Sequence, residues 1–87
     1  MNEELFNFIK EDTSNTFARI VNIEGTIIFM YDIFYMSFAE DDFSYETVYK
    51  WFAKEEYNSN LRNIYLPILE RYNKEVLRGK KIDNILD

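Results

Sequence analysis

The side chains that could do chemistry in this chain are almost all carboxylates. Their densest run is Glu40-Asp41-Asp42, and Glu46, Glu55 and Glu56 follow it on the next stretch of chain. The chain has no His and no Cys, which supply most of the acid-base and thiolate chemistry of enzymes. Carboxylate pairs alone can hydrolyse glycosides, but that reaction needs a cleft wide enough for a sugar, which 87 residues rarely build. We therefore expect no enzymatic activity and no cofactor.

The same carboxylates could in principle bind a hard cation, because Ca²⁺ and Mg²⁺ take carboxylate oxygens as ligands. Asp32 precedes the Glu40-Asp41-Asp42 run, but the spacing matches no EF-hand loop, and no glycine stands where that loop turns sharply. Asp41, Asp42 and Ser44 are each suitable N-caps for a helix that follows them. We therefore expect helix capping and a solvated turn here, and no metal site.

Charge is distributed unevenly along the chain. Residues 1–60 carry 12 acidic and 4 basic side chains, a net charge of −8, whereas residues 61–87 carry 4 acidic and 6 basic side chains, a net charge of +2. Four basic residues of the last third recur at helical spacing: Arg71, Lys74, Arg78 and Lys81. Glutamates between these basic residues reduce the net positive charge of the row. We therefore expect the row to be either a solvated helix flank or a surface that docks on an acidic one.

Composition indicates one small folded domain that spans residues 1–87. Hydrophobic residues make up 47% of the chain and aromatic residues 18%, whereas disordered chains are poor in aromatic residues. The N-terminal segment is acidic where a secretory signal is basic, and the longest apolar stretch, residues 26–38, is too short for a membrane helix. Together with the absence of Cys, these features favour a cytoplasmic protein without membrane contact.

The first half of the chain predicts a helix followed by β-structure. Apolar residues at helical spacing predict a short helix over residues 3–10. Residues 16–23 and 26–31 are rich in β-branched and aromatic side chains, and Glu24-Gly25 between them predicts a hairpin turn. Residues 32–38 are apolar at positions that would face both sides of a strand. They are either a strand covered on both faces or a buried helix, and periodicity leaves both open.

The second half predicts two helices. The first begins near residue 43 or 45, ends near residues 58–60, and carries Trp51 on the flank of its apolar stripe. The second has seven apolar residues at helical spacing: Leu61, Ile64, Tyr65, Ile68, Leu69, Tyr72 and Val76. Because the spacing passes through Pro67 without a phase shift, it predicts one continuous helix that is kinked at the proline. Gly79 is a typical helix stop, and residues 80–87 suggest one more helical turn.

The predicted fold is therefore α+β, in the order α-β-β-α-α, with a β-hairpin packed by the C-terminal helices. An all-α bundle is the alternative.

The carboxylates and Trp51 predict a protein-binding function. Carboxylates on a rigid scaffold can imitate phosphate charge and attract the basic surface of a nucleic-acid-binding protein. The residues expected to carry this contact are Glu40, Asp41, Asp42, Glu46, Trp51, Glu55 and Glu56. In size and composition, being small, acidic, free of Cys and rich in Asn and Ile, the chain resembles the inhibitors that phages and mobile elements encode against host defence nucleases. The resemblance implies a DNA mimic of the anti-CRISPR or anti-restriction type.

Two other functions stay open. The acidic half of one subunit could meet the basic helix of the next in a homo-oligomeric structural or regulatory domain, which predicts a homodimer or larger assembly. Residues 41–57 and the basic helix could instead form a weak DNA-binding transcriptional regulator, because the stretch from Ser44 to Phe52 has the Ser, Lys and aromatic content of a recognition helix. The net charge of −8 on residues 1–60, which include this stretch, opposes phosphate contacts, so no direct nucleic-acid binding is expected.

Overall fold

Three helices pack on one face of a three-stranded antiparallel sheet in the computed structural model of the chain, which describes residues 1–14, 16–54 and 59–78. The elements are α1 (Glu3–Asp12), β1 (Ala18–Ile23), β2 (Thr26–Tyr31), β3 (Phe34–Ala39), α2 (Tyr45–Lys54) and α3 (Ser59–Tyr72), with a 3₁₀ turn, Glu40–Asp42, between β3 and α2. The predicted α+β class and order are confirmed, and the sheet excludes the all-α alternative.

The sheet is a meander in the order β1-β2-β3, with a two-residue turn at each connection. Glu24 and Gly25 both have positive φ, 50° and 85°, as a type I′ hairpin turn requires. The predicted turn at Glu24-Gly25 is therefore confirmed. The second turn is Asp32-Ile33, where Asp32 takes a φ of 55°, a left-handed conformation that its short polar side chain tolerates.

Residues 32–38, whose structure the sequence left open, form this second turn and most of a third strand. Ile33 lies in the turn and is 81% exposed, although it is a β-branched apolar residue of the kind typical of strands. For this reason the apolar pattern of residues 32–38 gave no sign of a turn. The strand also differs from the expectation of cover on both faces. Phe38 is buried against the core, whereas Tyr35 and Ser37 on the other face are exposed.

Alternate residues of the sheet face the helices and form the core with them. The buried apolar residues include Ala18, Ile20, Ile27, Phe29 and Phe38 from the sheet and Leu5, Ile9, Val48, Phe52, Leu61, Tyr65, Ile68, Leu69 and Tyr72 from the helices. Phe29 of the central strand lies at the middle of this cluster. Its ring meets those of Phe52, Tyr65 and Phe38 edge to face, at centroid distances of 5.1, 4.9 and 5.6 Å.

The last helix runs without interruption from Ser59 to Tyr72 through Pro67, as the unbroken apolar pattern predicted. Five residues of the predicted stripe are buried, and the other two, Ile64 and Val76, are half-buried. Pro67 is exposed and cannot donate a backbone hydrogen bond to the preceding turn. Beyond Tyr72 the chain continues as a π-helical turn, Asn73–Leu77. The helix stop expected at Gly79 and the helical turn expected in residues 80–87 lie outside the described residues.

Tyr65 fixes α3 to the sheet through a buried polar contact. Its side chain is fully buried, and its hydroxyl lies 3.0 Å from the carbonyl oxygen of Arg19 and 2.8 Å from that of Met30. Arg19 and Met30 are directly paired across β1 and β2. The single hydroxyl hydrogen of Tyr65 is therefore shared between a carbonyl oxygen of each strand. Burial raises the pKa of Tyr65 to about 12, although the two hydrogen bonds lower it.

Polar contacts also join α1 to α3. The Arg71 guanidinium pairs with the Asp12 carboxylate and lies over the Phe8 ring, 5.6 Å from its centroid. The Tyr72 hydroxyl donates to Oε1 of Glu4 at 3.0 Å. Burial, together with the hydrogen bond to Glu4 and the negative charge of Glu4, raises the pKa of Tyr72 to about 12.

Stability should fall as the pH rises from 10 to 12. The pKa of Tyr65 and of Tyr72 is about 12 in the folded chain against 10.0 for an ordinary tyrosine. Both groups therefore favour the folded state fully below pH 10, and this contribution is lost as the pH approaches 12. Urea unfolding of the wild-type chain across this range measures the loss.

The variant Tyr65→Phe/Tyr72→Phe should lose less stability over the same pH range. At pH 8 it should be less stable than wild type, by about 1 to 2 kcal/mol for each hydroxyl contact removed. Tyr35→Phe is the matched control, because the Tyr35 side chain is exposed. Equal pH-dependent losses in the double variant and in wild type would contradict this role of the two buried hydroxyls.

Pro67→Ala should stabilise the chain, because an alanine restores the missing backbone donor within a continuous helix. We expect a gain of about 1 kcal/mol in the free energy of unfolding, less than the roughly 3 kcal/mol cost of proline in an unadapted helix. Asn63→Ala, an exposed substitution in the same helix, is the control for helix propensity alone. A loss of more than about 2 kcal/mol on Pro67→Ala would mean that the core requires the proline geometry.

Candidate functional site

The acidic run Glu40-Asp41-Asp42 forms the 3₁₀ turn between β3 and α2. Of the three candidate caps, Ser44 is the one that caps α2: its Oγ accepts from the backbone N–H of Thr47 at 3.3 Å. The carboxylates of Asp41 and Asp42 are not used for capping. Both residues are exposed, and within the described part of the chain neither carboxylate forms a hydrogen bond or an ion pair.

Glu40 has a structural contact that Asp41 and Asp42 lack. Its Oε1 accepts a hydrogen bond from Nδ2 of Asn22 at 2.7 Å, and its backbone N–H donates to the carbonyl oxygen of Gly25 at 2.9 Å. Oδ1 of Asn22 in turn accepts from the N–H of Gly25 at 3.2 Å. Glu40 thus fastens the end of β3 to the turn between β1 and β2. The sequence could not show this, because Asn22 and Glu40 are 18 positions apart.

A groove of about 660 Å³ runs along the edge of β3 that faces away from β2. Since β3 pairs only with β2 in the sheet of described residues, this edge presents unpaired backbone groups. The opposite wall comes from Thr47 and Trp51 of α2, and Asp42 also lines the groove. The Trp51 side chain is 57% exposed, as its position off the apolar stripe predicted. Asp42 and Trp51, which the sequence singled out separately, therefore meet at one groove.

The remaining predicted site residues are placed differently. Glu46 precedes Trp51 by five positions, which puts it about 140° around α2, away from the groove. Glu55 and Glu56 lie outside the described residues. Lys50 and Lys54 lie beside Trp51, where they line a second recess of about 380 Å³. The Trp51 flank of α2 therefore carries positive charge next to the negative charge of the Asp41–Asp42 turn.

Six of the eight residues that line the groove were not recognised as candidates from the sequence: Tyr35, Met36, Ser37, Phe38, Ala39 and Thr47. Tyr35 of β3 is 69% exposed, and Thr47 of α2 lies across the groove from the strand. Exposure of Tyr35 could not be foreseen while residues 32–38 were expected to be covered on both faces. The exposed edge of β3 follows from the sheet order, which local periodicity does not encode.

The basic row of the last helix is partly neutralised. Arg71 pairs with Asp12, and its Nε lies 3.8 Å from a carboxylate oxygen of Glu75. Lys74 and Arg78 line a recess of about 440 Å³ together with Tyr45, Tyr49, Glu70 and Asn73. Lys81, the fourth residue of the row, lies outside the described residues. In the described part of the chain the row is therefore interrupted by acidic neighbours.

Neither a metal-binding cluster nor a membrane-spanning helix is found in residues 1–14, 16–54 and 59–78. No three acidic side chains there are grouped so that they could hold an ion, and the chain has no His or Cys to join them. None of the helices in this part is long and apolar enough to cross a bilayer.

Substitution of the three acids should separate the structural carboxylate from the exposed ones. Glu40→Ala removes the contact with Asn22 and should lower the free energy of unfolding by about 1 kcal/mol. Asp41→Ala and Asp42→Ala should each change it by less than about 0.5 kcal/mol. Denaturant titration of the three variants measures this. Once Glu40 is gone, Asn22→Ala should add only the cost of the hydrogen bond from the Gly25 N–H to Oδ1 of Asn22. If Asp41→Ala or Asp42→Ala costs as much as Glu40→Ala, those carboxylates have a structural role.

Comparison with known proteins gives no relative: no family model, no curated protein and no solved structure matches the chain. Function therefore has to be inferred from the side chains and the geometry described above.

Proposed function

We propose that the chain is a small protein-binding module that engages a basic partner surface through the Asp41–Asp42 turn and the β3 groove. One observation carries the proposal: the exposed carboxylate of Asp42, which has no intramolecular partner in the described residues, lines the same groove as the exposed Trp51 of α2 and the unpaired edge of β3. Asp41, exposed and equally without a partner in the described residues, precedes it in the same turn. Folding makes little use of these side chains, since Ser44 already caps α2.

The three parts of the groove suit different features of a protein ligand. Asp41 and Asp42 attract Lys or Arg side chains, an interaction that raises the association rate and orients the partner. Trp51 offers a large apolar anchor with a polar N–H, a type of residue that often dominates binding energy. The edge of β3 can pair with an extended segment of the partner through backbone hydrogen bonds.

The partner class that fits this chemistry is a basic, nucleic-acid-processing protein. Its phosphate-binding surface carries the Lys and Arg side chains that an acidic module of net charge −6 can meet. A chain that occupies such a surface would exclude the nucleic acid and so act as an inhibitor and DNA mimic. The resemblance in size and composition to phage and mobile-element inhibitors of defence nucleases supports an anti-CRISPR or anti-restriction role.

The test compares partner capture by three forms of the immobilised chain. These are the wild type, Asp41→Lys/Asp42→Lys, and the control Glu11→Lys/Glu70→Lys, which changes net charge equally at exposed sites away from the groove. Proteins held by wild type and control but lost by the groove variant are partners. We expect a basic nucleic-acid-processing protein whose association rate falls at least tenfold with the groove variant, together with a weaker dependence on salt.

Two further variants decide how far the contact extends. Trp51→Ala should raise the dissociation rate, whereas Glu46→Lys, on the other flank of α2, should leave the dissociation constant within about threefold of wild type. If the groove variant binds its partner with unchanged affinity and unchanged salt dependence, the acidic turn is not the binding surface. If Glu46→Lys is as damaging as the groove variant, the contact is a broad acidic face instead of the groove.

A further inference from the structure

The face of the sheet that points away from the helices is apolar and uncovered by the described residues. Its residues are Arg19, Val21, Ile23, Thr26, Ile28, Met30, Tyr35, Ser37 and Ala39, and none of them is fully buried. Ile23 and Tyr35 are 56% and 69% exposed, and the exposed Phe17 and Ile33 stand at the rim. An apolar sheet face normally packs against a second layer, and an exposed apolar patch marks an interaction surface.

Charge on this outer face favours a second copy of the chain as its occupant. The nine residues of the face include no acidic one, although the chain carries a net charge of −6, and Glu24 and Asp32 stand only in the turns at its two ends, so carboxylate repulsion across the face itself is small. Its one charged residue, Arg19, lies near one end of β1, and Glu24 lies in the turn at the other end. A two-fold axis perpendicular to the strands places Arg19 of each copy over the Glu24 turn of the other.

The shape of the outer face is also compatible with a two-fold axis perpendicular to the strands. A recess of about 460 Å³ opens at the Arg19 corner, lined by Phe17, Arg19, Met30, Tyr31 and Asp32. Ile23 lies at the opposite end of β1, so the two-fold axis brings Ile23 of the second copy over this recess. Each copy thus supplies one protruding apolar side chain and one recess, as a self-complementary interface requires.

We propose that this outer face is a self-association surface on which a second copy packs face to face as a β-sandwich. Strand spacing and rise give a face of roughly 14 by 20 Å, about 280 Å² per copy, to which Phe17 and Ile33 add at the rim. The two copies together bury about 560 Å² of this face, well below the roughly 1,200 Å² of a stable interface, so the dimer is a weak, transient one. We expect a dissociation constant on the order of 100 µM or higher. Tyr35, Ser37 and Ala39 of this face also line the β3 groove, whereas Asp42, Thr47 and Trp51 of the groove do not belong to the face.

Sedimentation of the full chain between about 10 µM and 1 mM tests this interface. Wild type should shift from the 10.6 kDa monomer towards a dimer with rising concentration. Ile23→Asp places a charge in the contact and should weaken association at least tenfold. Trp51→Ala removes an exposed apolar side chain outside this face and should leave association unchanged. Circular dichroism verifies that each variant is folded.

A charge exchange tests the orientation independently of Ile23. Arg19→Glu should weaken the dimer several-fold, and Arg19→Glu/Glu24→Arg should restore it to within about threefold of wild type. A wild-type chain that stays monomeric to 1 mM would overturn the proposal, as would a dimer that survives Ile23→Asp but is lost with Trp51→Ala. Failure of the double variant to restore association would exclude the two-fold axis perpendicular to the strands.

Discussion

The packing of Tyr65 on Phe29 is the contact on which the arrangement of the helices depends. The two rings meet edge to face at 4.9 Å, and the Tyr65 hydroxyl reaches the backbone carbonyls of Arg19 and Met30. An apolar ring alone would fix only the distance between α3 and the sheet. A buried hydroxyl also has to find an acceptor, so it fixes which residues of β1 and β2 lie beneath the helix. With α3 held on this face, all three helices pack on the same side of the sheet.

Because the helices cover only one face, two surfaces of the sheet are left without cover from the described residues: the β3 edge and the outer face. The two differ in chemistry. The β3 edge offers backbone hydrogen bonds beside Asp42 and Trp51, which suits an extended, basic segment of another protein. The outer face offers apolar side chains such as Ile23 and Tyr35 without acidic neighbours on the face, which suits a copy of itself. The two surfaces share Tyr35, Ser37 and Ala39 of β3, so self-association on the outer face competes with a ligand in the groove for these residues.

The sequence predicted those features that depend on local spacing. The stripe from Leu61 to Tyr72 and the Glu24-Gly25 turn were readable because helical period and positive φ leave signatures within a few residues. The Asp32-Ile33 turn was not, because an apolar residue occupies it and Asp32 supplies the left-handed conformation without a glycine. The β3 groove could not be predicted either. Whether a strand lies at the edge of a sheet depends on the order of the strands and not on the residues of that strand.

The structure also sorts the acidic residues, which the sequence could treat only as one set. Glu40 bonds Asn22, Asp12 pairs with Arg71, and Glu4 accepts from Tyr72, so each of these carboxylates is engaged in holding two elements together. Asp41 and Asp42 hold nothing together in the described chain, and their repulsion slightly opposes compaction. A charge that folding does not use changes association with other molecules more than it changes stability. This difference makes the Asp41–Asp42 turn the part of the acidic surface where an effect on binding can be separated from an effect on the fold.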